Sequence, residues 1–354
     1  MQKFANPYQW ARNELEKLYE IKGGLIDCHQ HLDRRNTLDE EGYALIMKGA
    51  TLKEKQDYID RFKKKPGYRA TLPDRIKMGV EDMKHQGIKA CRSYIDADST
   101  IGLEAIHAAL EIKKWAMSQD FYLQIVASPV KGLFFDEDRV QFELGCELAD
   151  VIGVIPSRGI KMPDPSVPFD YQTLEKNMNY FFEVAWRLKK PIDLQIDQTN
   201  DIREWESKIL CKVAREFRNR GYNHSIAATH CISLGAQTLV EIKRIAKEFK
   251  QLGVNVIVCP GAAIDMEQNR KQHGPTRNSI APVKELLAEE VVVALGTDNV
   301  SDIFMRFCSG DFRAEIEKLT NAVRWQEDLL LLADLATTNG RIVLGLPLPH
   351  KKEE

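Results

Sequence analysis

Two of the eight histidines stand two residues apart, in Leu25-Ile-Asp-Cys-His-Gln-His-Leu-Asp33. On a strand, side chains alternate between faces, so His29 and His31 project to one side together. Two converging neutral imidazoles are good ligands for a divalent metal such as zinc or iron; the competing role is two surface histidines at a strand end. Far along the chain, Val291-Val-Val-Ala-Leu-Gly-Thr-Asp-Asn-Val300 carries an apolar run into a carboxylate, Asp298. A carboxylate there can bind metal, accept a proton from water, or do both; it can also be a helix N-cap. His230 ends a third apolar run, Ile226-Ala-Ala-Thr-His-Cys231. It can polarise a leaving oxygen, bind metal, or sit as a hydrogen-bonded core histidine. In Pro191-Ile-Asp-Leu-Gln-Ile-Asp-Gln-Thr-Asn200, Asp193, Gln195 and Asp197 share a parity, and Gln198 follows at the end. Polar residues on an inward face are costly unless paired or ligated, which points to a polar pocket.

Something must bring these distant residues together. Eight short β-branched or apolar runs alternate with helical spacing: Gly24–His29, Ile88–Ile95, Tyr122–Ala127, Asp150–Ile155, Pro191–Ile196, Ser225–His230, Val254–Cys259 and Val291–Gly296. Helical stretches lie between them, at Gly102–Gln119, Asp138–Leu148, Tyr171–Leu188, Ile202–Gly221, Leu234–Gly253 and Ala281–Leu287, with Asp311–Asn321 and Trp325–Leu344 after the last run. Gly87, Gly221 and Gly253 each stand where a helix must stop before a strand. Such alternation predicts an α/β fold with a parallel sheet, and eight units predict a closed (β/α)8 TIM-type barrel. In a closed barrel the first and eighth strands are neighbours, so Asp298 falls beside His29 and His31.

The whole chain, 1–354, is expected to be one barrel domain, with an N-terminal amphipathic helix at 7–20 and a long insert at 32–86. The insert leaves the C-terminal face of the first strand, where barrel active sites lie, and so is a lid or pocket wall. It carries helical stretches near Thr51–Lys65 and Leu72–Gln86, and its basic run Arg61-Phe-Lys-Lys-Lys65 reads as a solvated helix face. Arg158, after the fourth strand, and His273, in the polar loop Glu267–Arg277, are candidates for touching substrate. Arg92 reads either as a contact for an anionic group or as a buried ion pair. His85, His107 and His350 read as surface residues, and His224 as structural.

Composition narrows the classes further. Apolar residues make up 44% of the 354, and charged residues 29%, which excludes a disordered chain. Fifty basic against 52 acidic residues leave a net charge of −2, so there is no bulk electrostatic case for nucleic acid or a membrane surface. The apolar runs are far too short to span a membrane. Met1-Gln-Lys-Phe-Ala-Asn-Pro has no apolar core of a secretory signal. The seven scattered cysteines form no CxxC pair and read as reduced thiols, so a cytoplasmic protein with a small-molecule substrate is expected. Homo-oligomerisation stays open.

The His-x-His followed by Leu-Asp, the Thr229-His230 pair and Gly296-Thr-Asp-Asn-Val300 together resemble the amidohydrolase superfamily. They look most like its cytosine deaminase and N-isopropylammelide amidohydrolase group. The likeness runs from about Gly24 to Leu346 and takes in Leu123-Gln-Ile-Val-Ala127, Gly153-Val-Ile-Pro156 and Pro282-Val-Lys-Glu-Leu-Leu287. The resemblance implies a barrel hydrolase with one zinc or iron ion, held by two strand-one histidines, a strand-five histidine and a strand-eight aspartate. A strand-six histidine and a strand-five glutamate assist. His29, His31, His230 and Asp298 match this pattern.

Strand five departs from it. Gln195 stands at the metal histidine, Gln198 at the catalytic glutamate, and Val130 at the glutamine that reads cytosine. The flanking β-sandwich of many relatives is also absent from the pattern. An amide oxygen is a poor replacement for imidazole, and Gln198 cannot shuttle a proton, a capacity worth roughly 10²–10⁴-fold. Cytosine is therefore not the expected substrate. Asp197, on the parity of Gln195, is the acid that can supply the missing ligand. The reading is a metal-dependent deaminase or amidohydrolase that hydrolyses a C–N bond in a small polar cyclic or heteroaromatic molecule. Asp298 takes the proton of water and His230 stabilises the tetrahedral intermediate. Two alternatives stay open: a degenerate barrel that binds a small molecule or partner, and a decarboxylase or isomerase on the same scaffold.

Overall fold

Each of the eight apolar runs becomes a strand: β1 Leu25–Gln30, β2 Ile88–Asp96, β3 Tyr122–Ser128, β4 Val151–Val154, β5 Ile192–Ile196, β6 Ile226–His230, β7 Val254–Val258 and β8 Val293–Leu295. This is a computed structural model, and it describes residues 7–133, 135–158, 170–265 and 279–349. All neighbouring strands pair in parallel, in the order β1 to β8. The strands read as continuous apolar runs because helices cover their outer face. Ile95, Leu123, Leu194, Val256 and Leu295 are buried there with Phe182, Phe217 and Phe249 of the surrounding helices.

Closure of the barrel depends on polar groups. β8 has only three residues, and it meets β1 through an isolated parallel bridge between Gln30 and Asp298. The buried Asp27 carboxylate clasps the two strands, accepting from Thr297 N at 3.1 Å, Thr297 Oγ1 at 2.6 Å and Gln30 Nε2 at 2.7 Å. A side chain at Gly296 would not fit this seam. A Cβ there would lie 2.5 Å from His29 Cβ and 2.8 Å from His29 N.

At the closed end of the barrel, Arg92 is the buried ion pair. It donates to Asp193 Oδ2 at 2.7 Å, Gln124 Oε1 at 2.8 Å and Val343 O at 2.7 Å. Thr229 Oγ1 donates to the other Asp193 oxygen at 2.7 Å. Asp193 therefore spends its inward polarity on structure.

The helix Pro7–Ile21 precedes β1, and the insert holds four helices: Glu40–Met47, Leu52–Phe62, Pro66–Ala70 and Leu72–His85. The first and third of these were not expected. The stretch expected as one helix over Trp325–Leu344 divides at Thr337, into Leu329–Ala336 and Thr338–Leu344. The insert folds over the C-terminal face, where its Tyr58 and Ile59 are buried with Val130 and Ile303. Lys63 does not belong to a solvated face. It is fully buried, with Nζ 2.6 Å from Asp96 and 2.8 Å from Asp98, which ties the insert to the end of β2. Among the described residues no helix is long and apolar enough to cross a membrane. All seven cysteines are buried and free.

Candidate active site

The ends of β1, β6 and β8 bring four of the expected residues to one place. His31 Nε2 lies 3.1 Å from Asp298 Oδ1, and His29 Nε2 lies 3.4 Å from the same oxygen. The His29 ring centroid is 5.0 Å from that of His31 and 5.5 Å from that of His230. Tyr94 of β2 packs against both strand-one rings and is anchored by its hydroxyl, which donates to Asp193 O at 3.0 Å. His230 and Asp298 both adopt left-handed backbone, with φ of +79° and +71°. Such conformations cost about 1–3 kcal/mol each and collect at functional sites.

Electrostatics set the protonation of this cluster. Burial would raise the Asp298 carboxyl, but the facing imidazoles of His29 and His31 outweigh it and hold Asp298 well below the usual range. Burial and the Arg34 guanidinium push His31 well down, so it acts on Asp298 as a neutral N–H donor rather than as a cation. Burial lowers His230 to about 4, which leaves it neutral near pH 7.

The cluster fits a divalent metal. His29 is fully buried, and neither of its ring nitrogens has a hydrogen-bond partner. An imidazole left bare in a dry interior is costly unless something ligates it. One ligand atom each from His29, Cys259 and Asp298 lie within 4.8 Å of one another. Cys259 was not expected here. It follows β7 directly, and the neighbouring Ile257 and Val258 made it read as the tail of an apolar strand. Arg34 was missed as well: its Nη2 sits against His31 Nδ1. His31 can give Nε2 to a cation only with its hydrogen on Nδ1, so ligation by His31 and this Arg34 contact exclude each other.

Strand five behaves differently from its parity. Gln195 points inward and is buried, with its Nε2 unpartnered. Gln198 is half-buried, and its Nε2 donates to Gln195 O at 3.3 Å. Asp197 is not brought to the cluster. The strand ends at Ile196, and Asp197 takes φ of +53°, which breaks the alternation and turns its side chain away. Its Oδ1 accepts from Ser207 N at 3.2 Å, in the first turn of the helix Glu206–Asn219. Glu206 Oε2 accepts from Asp197 N at 2.7 Å, and Glu204 lies close by. Arg158 is half-buried on the turn after β4 and donates to Val130 O. His273 lies outside the described residues. His85 and His107 are exposed, and His224 is half-buried at the opposite end of β6.

Eight parallel strands with a histidine and carboxylate cluster at their C-terminal ends define a barrel-enzyme architecture. The sequence model of the Amidohydrolase family matches residues 21–349, and the chain belongs to that family of hydrolytic enzymes. An uncharacterised protein of Haemophilus influenzae is 27% identical over 284 residues, covering 79% of this chain and 95% of that protein. The N-isopropylammelide isopropyl amidohydrolase of Pseudomonas sp. (strain ADP) is 23% identical over 343 residues, covering 92% of this chain and 75% of that enzyme. Among solved structures, the fold is similar to 5-methylcytosine deaminase from Klebsiella pneumoniae liganded with 5-fluorocytosine. The TM-score is 0.76 at 22% identity, over 91% of this chain and 74% of that one. N-isopropylammelide isopropylaminohydrolase from Burkholderia multivorans gives 0.72 at 19% identity, over 91% and 74% of the two chains.

Proposed function

We propose that this protein is a metal-dependent hydrolase of a C–N bond in a small polar cyclic or heteroaromatic molecule, and that the substrate is not cytosine. The observation that carries this reading is the buried His29 imidazole, bare at both nitrogens and 3.4 Å from Asp298. His29 and Asp298 would hold one divalent ion, zinc or iron, with Cys259 offering its sulfur beside them and His31 joining once its Nδ1 is released from Arg34. When bound, the ion supplies Lewis-acid polarisation. Asp197 is not in this set, because its backbone turns at φ +53° and its Oδ1 faces Ser207 N.

The residues then divide the chemistry. Asp298, kept ionised, takes a proton from the attacking water as its oxygen adds to the carbon of the C–N bond. His230, neutral, donates its ring N–H to the oxygen or nitrogen that gains electron density in the tetrahedral intermediate. Asp298 passes the proton to the departing nitrogen as the C–N bond breaks. The unpartnered Gln195 amide and Gln198 hold the ring of the substrate by hydrogen bonds. Val130 stands where cytosine deaminases have a glutamine, and an isopropyl group cannot make that amide contact.

A screen tests this reading. Protein loaded with zinc or ferrous iron is offered cyclic amides, amidines and N-alkylated triazines and pyrimidines, and release of ammonia or amine is read. Release from at least one class, lost in Asp298→Asn, is expected. No release from any of them, with metal bound and the fold intact, contradicts it.

A further inference from the structure

Arg158 is a guanidinium at the rim of the barrel mouth that pairs with no carboxylate among the described residues; one N–H goes to Val130 O. Val130 is buried with Tyr58, Ile59 and Ile303, and Phe304 packs against the same group. The Arg34 guanidinium lies over the Phe304 ring, 5.3 Å from its centroid. Two cations thus flank one apolar corner beside His31. Arg34 is 2% exposed, and its Nε and Nη1 have no hydrogen-bond partner.

The nearby carboxylates Asp96, Asp33 and Asp302 balance the Arg34 charge, and none of them pairs with Arg158. Asp96 lies 3.9 Å from Arg34 Nη1 but 2.6 Å from Lys63 Nζ. Asp302 accepts from Phe304 N at 2.8 Å, from Met305 N at 3.1 Å and from Asn299 Nδ2. Asp33 accepts from Asp96 N at 3.0 Å. Burial and the Arg34 charge push Arg158 down to about 9, which still leaves it cationic near neutrality. A desolvated cation without a partner is costly, and the guanidinium fork matches a carboxylate in two parallel hydrogen bonds. If His31 serves as a ligand, its Nδ1 hydrogen displaces Arg34 Nη2 and frees a further donor in the same corner.

We infer that the substrate carries a carboxylate or a similarly shaped anionic group, received by Arg158 with Arg34 behind it, beside His31. The word substrate rests on the hydrolase reading above; the anion site does not.

The test compares carboxylates with their neutral carboxamides, namely acetate with acetamide and nicotinate with nicotinamide, by calorimetric titration of the whole protein at low salt. The carboxylates are expected to bind about tenfold or more tightly than the amides, before and after metal is stripped with a chelator. Arg158→Gln is expected to abolish the preference, and Arg158→Lys to keep part of it, because charge survives but the fork does not. Arg158 is half-buried, so its loss leaves the core intact. Three outcomes overturn the proposal: equal binding of acid and amide, no binding of either carboxylate up to ~50 mM, or a preference that survives Arg158→Gln. The last would show that another cation, a metal ion or Arg34, takes the carboxylate without Arg158. Stripped protein that prefers carboxylates but never releases ammonia or amine when loaded removes the hydrolase reading and keeps the anion site. Active protein without the preference does the reverse.

Discussion

Asp298 is tied to His29 twice, by its backbone N–H donating to His29 O at 2.8 Å and by Oδ1 lying 3.4 Å from His29 Nε2. The first bond closes the barrel seam and the second assembles the site. Closure and chemistry are therefore one event in this fold, and what disturbs the seam disturbs the site.

Gly296→Ala puts this to use. The added Cβ meets His29 backbone and Cβ atoms, which cannot swing aside as a flexible side chain would. Overpacking of this kind costs about 1–3 kcal/mol. The variant is expected to unfold at lower denaturant concentration and to lose metal more readily than wild type. Wild-type stability and metal retention in Gly296→Ala would show that β8 can shift at no cost.

The closed end of the barrel should be sensitive to half of an ion pair and tolerant of losing both. Arg92→Leu leaves the fully buried Asp193 carboxylate without its cation and is expected to cost about 3–5 kcal/mol. Arg92→Leu with Asp193→Leu is expected to recover part of that loss. Chemical denaturation of the three proteins checks it, and a double variant no better than the single would refute it.

The buried acids behind β5 give a pH dependence with a definite sign. Burial and the neighbouring Glu204 raise Asp197 to about 7, and burial with Glu204 and Asp197 raises Glu206 well above its usual value. The native state therefore holds protons that the unfolded chain releases near pH 4. Their stabilising effect is present in full at low pH and is lost as pH rises through about 7. Melting temperature is expected to fall between pH 6 and pH 8.5, and to fall less in Glu206→Gln. An identical slope in the variant would mean that these acids ionise freely.

The barrel was legible because each strand's apolar run and each flanking helix pointed to the same answer, and because eight units leave few topologies. His29, His31, His230 and Asp298 were legible because residue type coincided with the end of a strand. Asp197 misled because parity holds only while the backbone stays extended, and its φ of +53° ends that. Cys259 was hidden by its apolar neighbours, since a buried thiol and a ligand thiol look alike in sequence. Lys63 was hidden because a basic run normally faces water, whereas Asp96 and Asp98 lie more than thirty residues further along and become its neighbours only in the fold. Arg34 was hidden in part for the same reason: His31 is three residues before it, but Phe304 is far along the chain and becomes its neighbour only in the fold.

Metal content, measured by elemental analysis on protein purified without chelator, tests the central claim most directly. The account predicts about one zinc or iron per chain in wild type, and less than about a tenth of that in His29→Ala and in Asp298→Ala, with helical content unchanged. Stoichiometric metal in the His29→Ala/His31→Ala double variant, or none in wild type that still releases ammonia or amine, would contradict it.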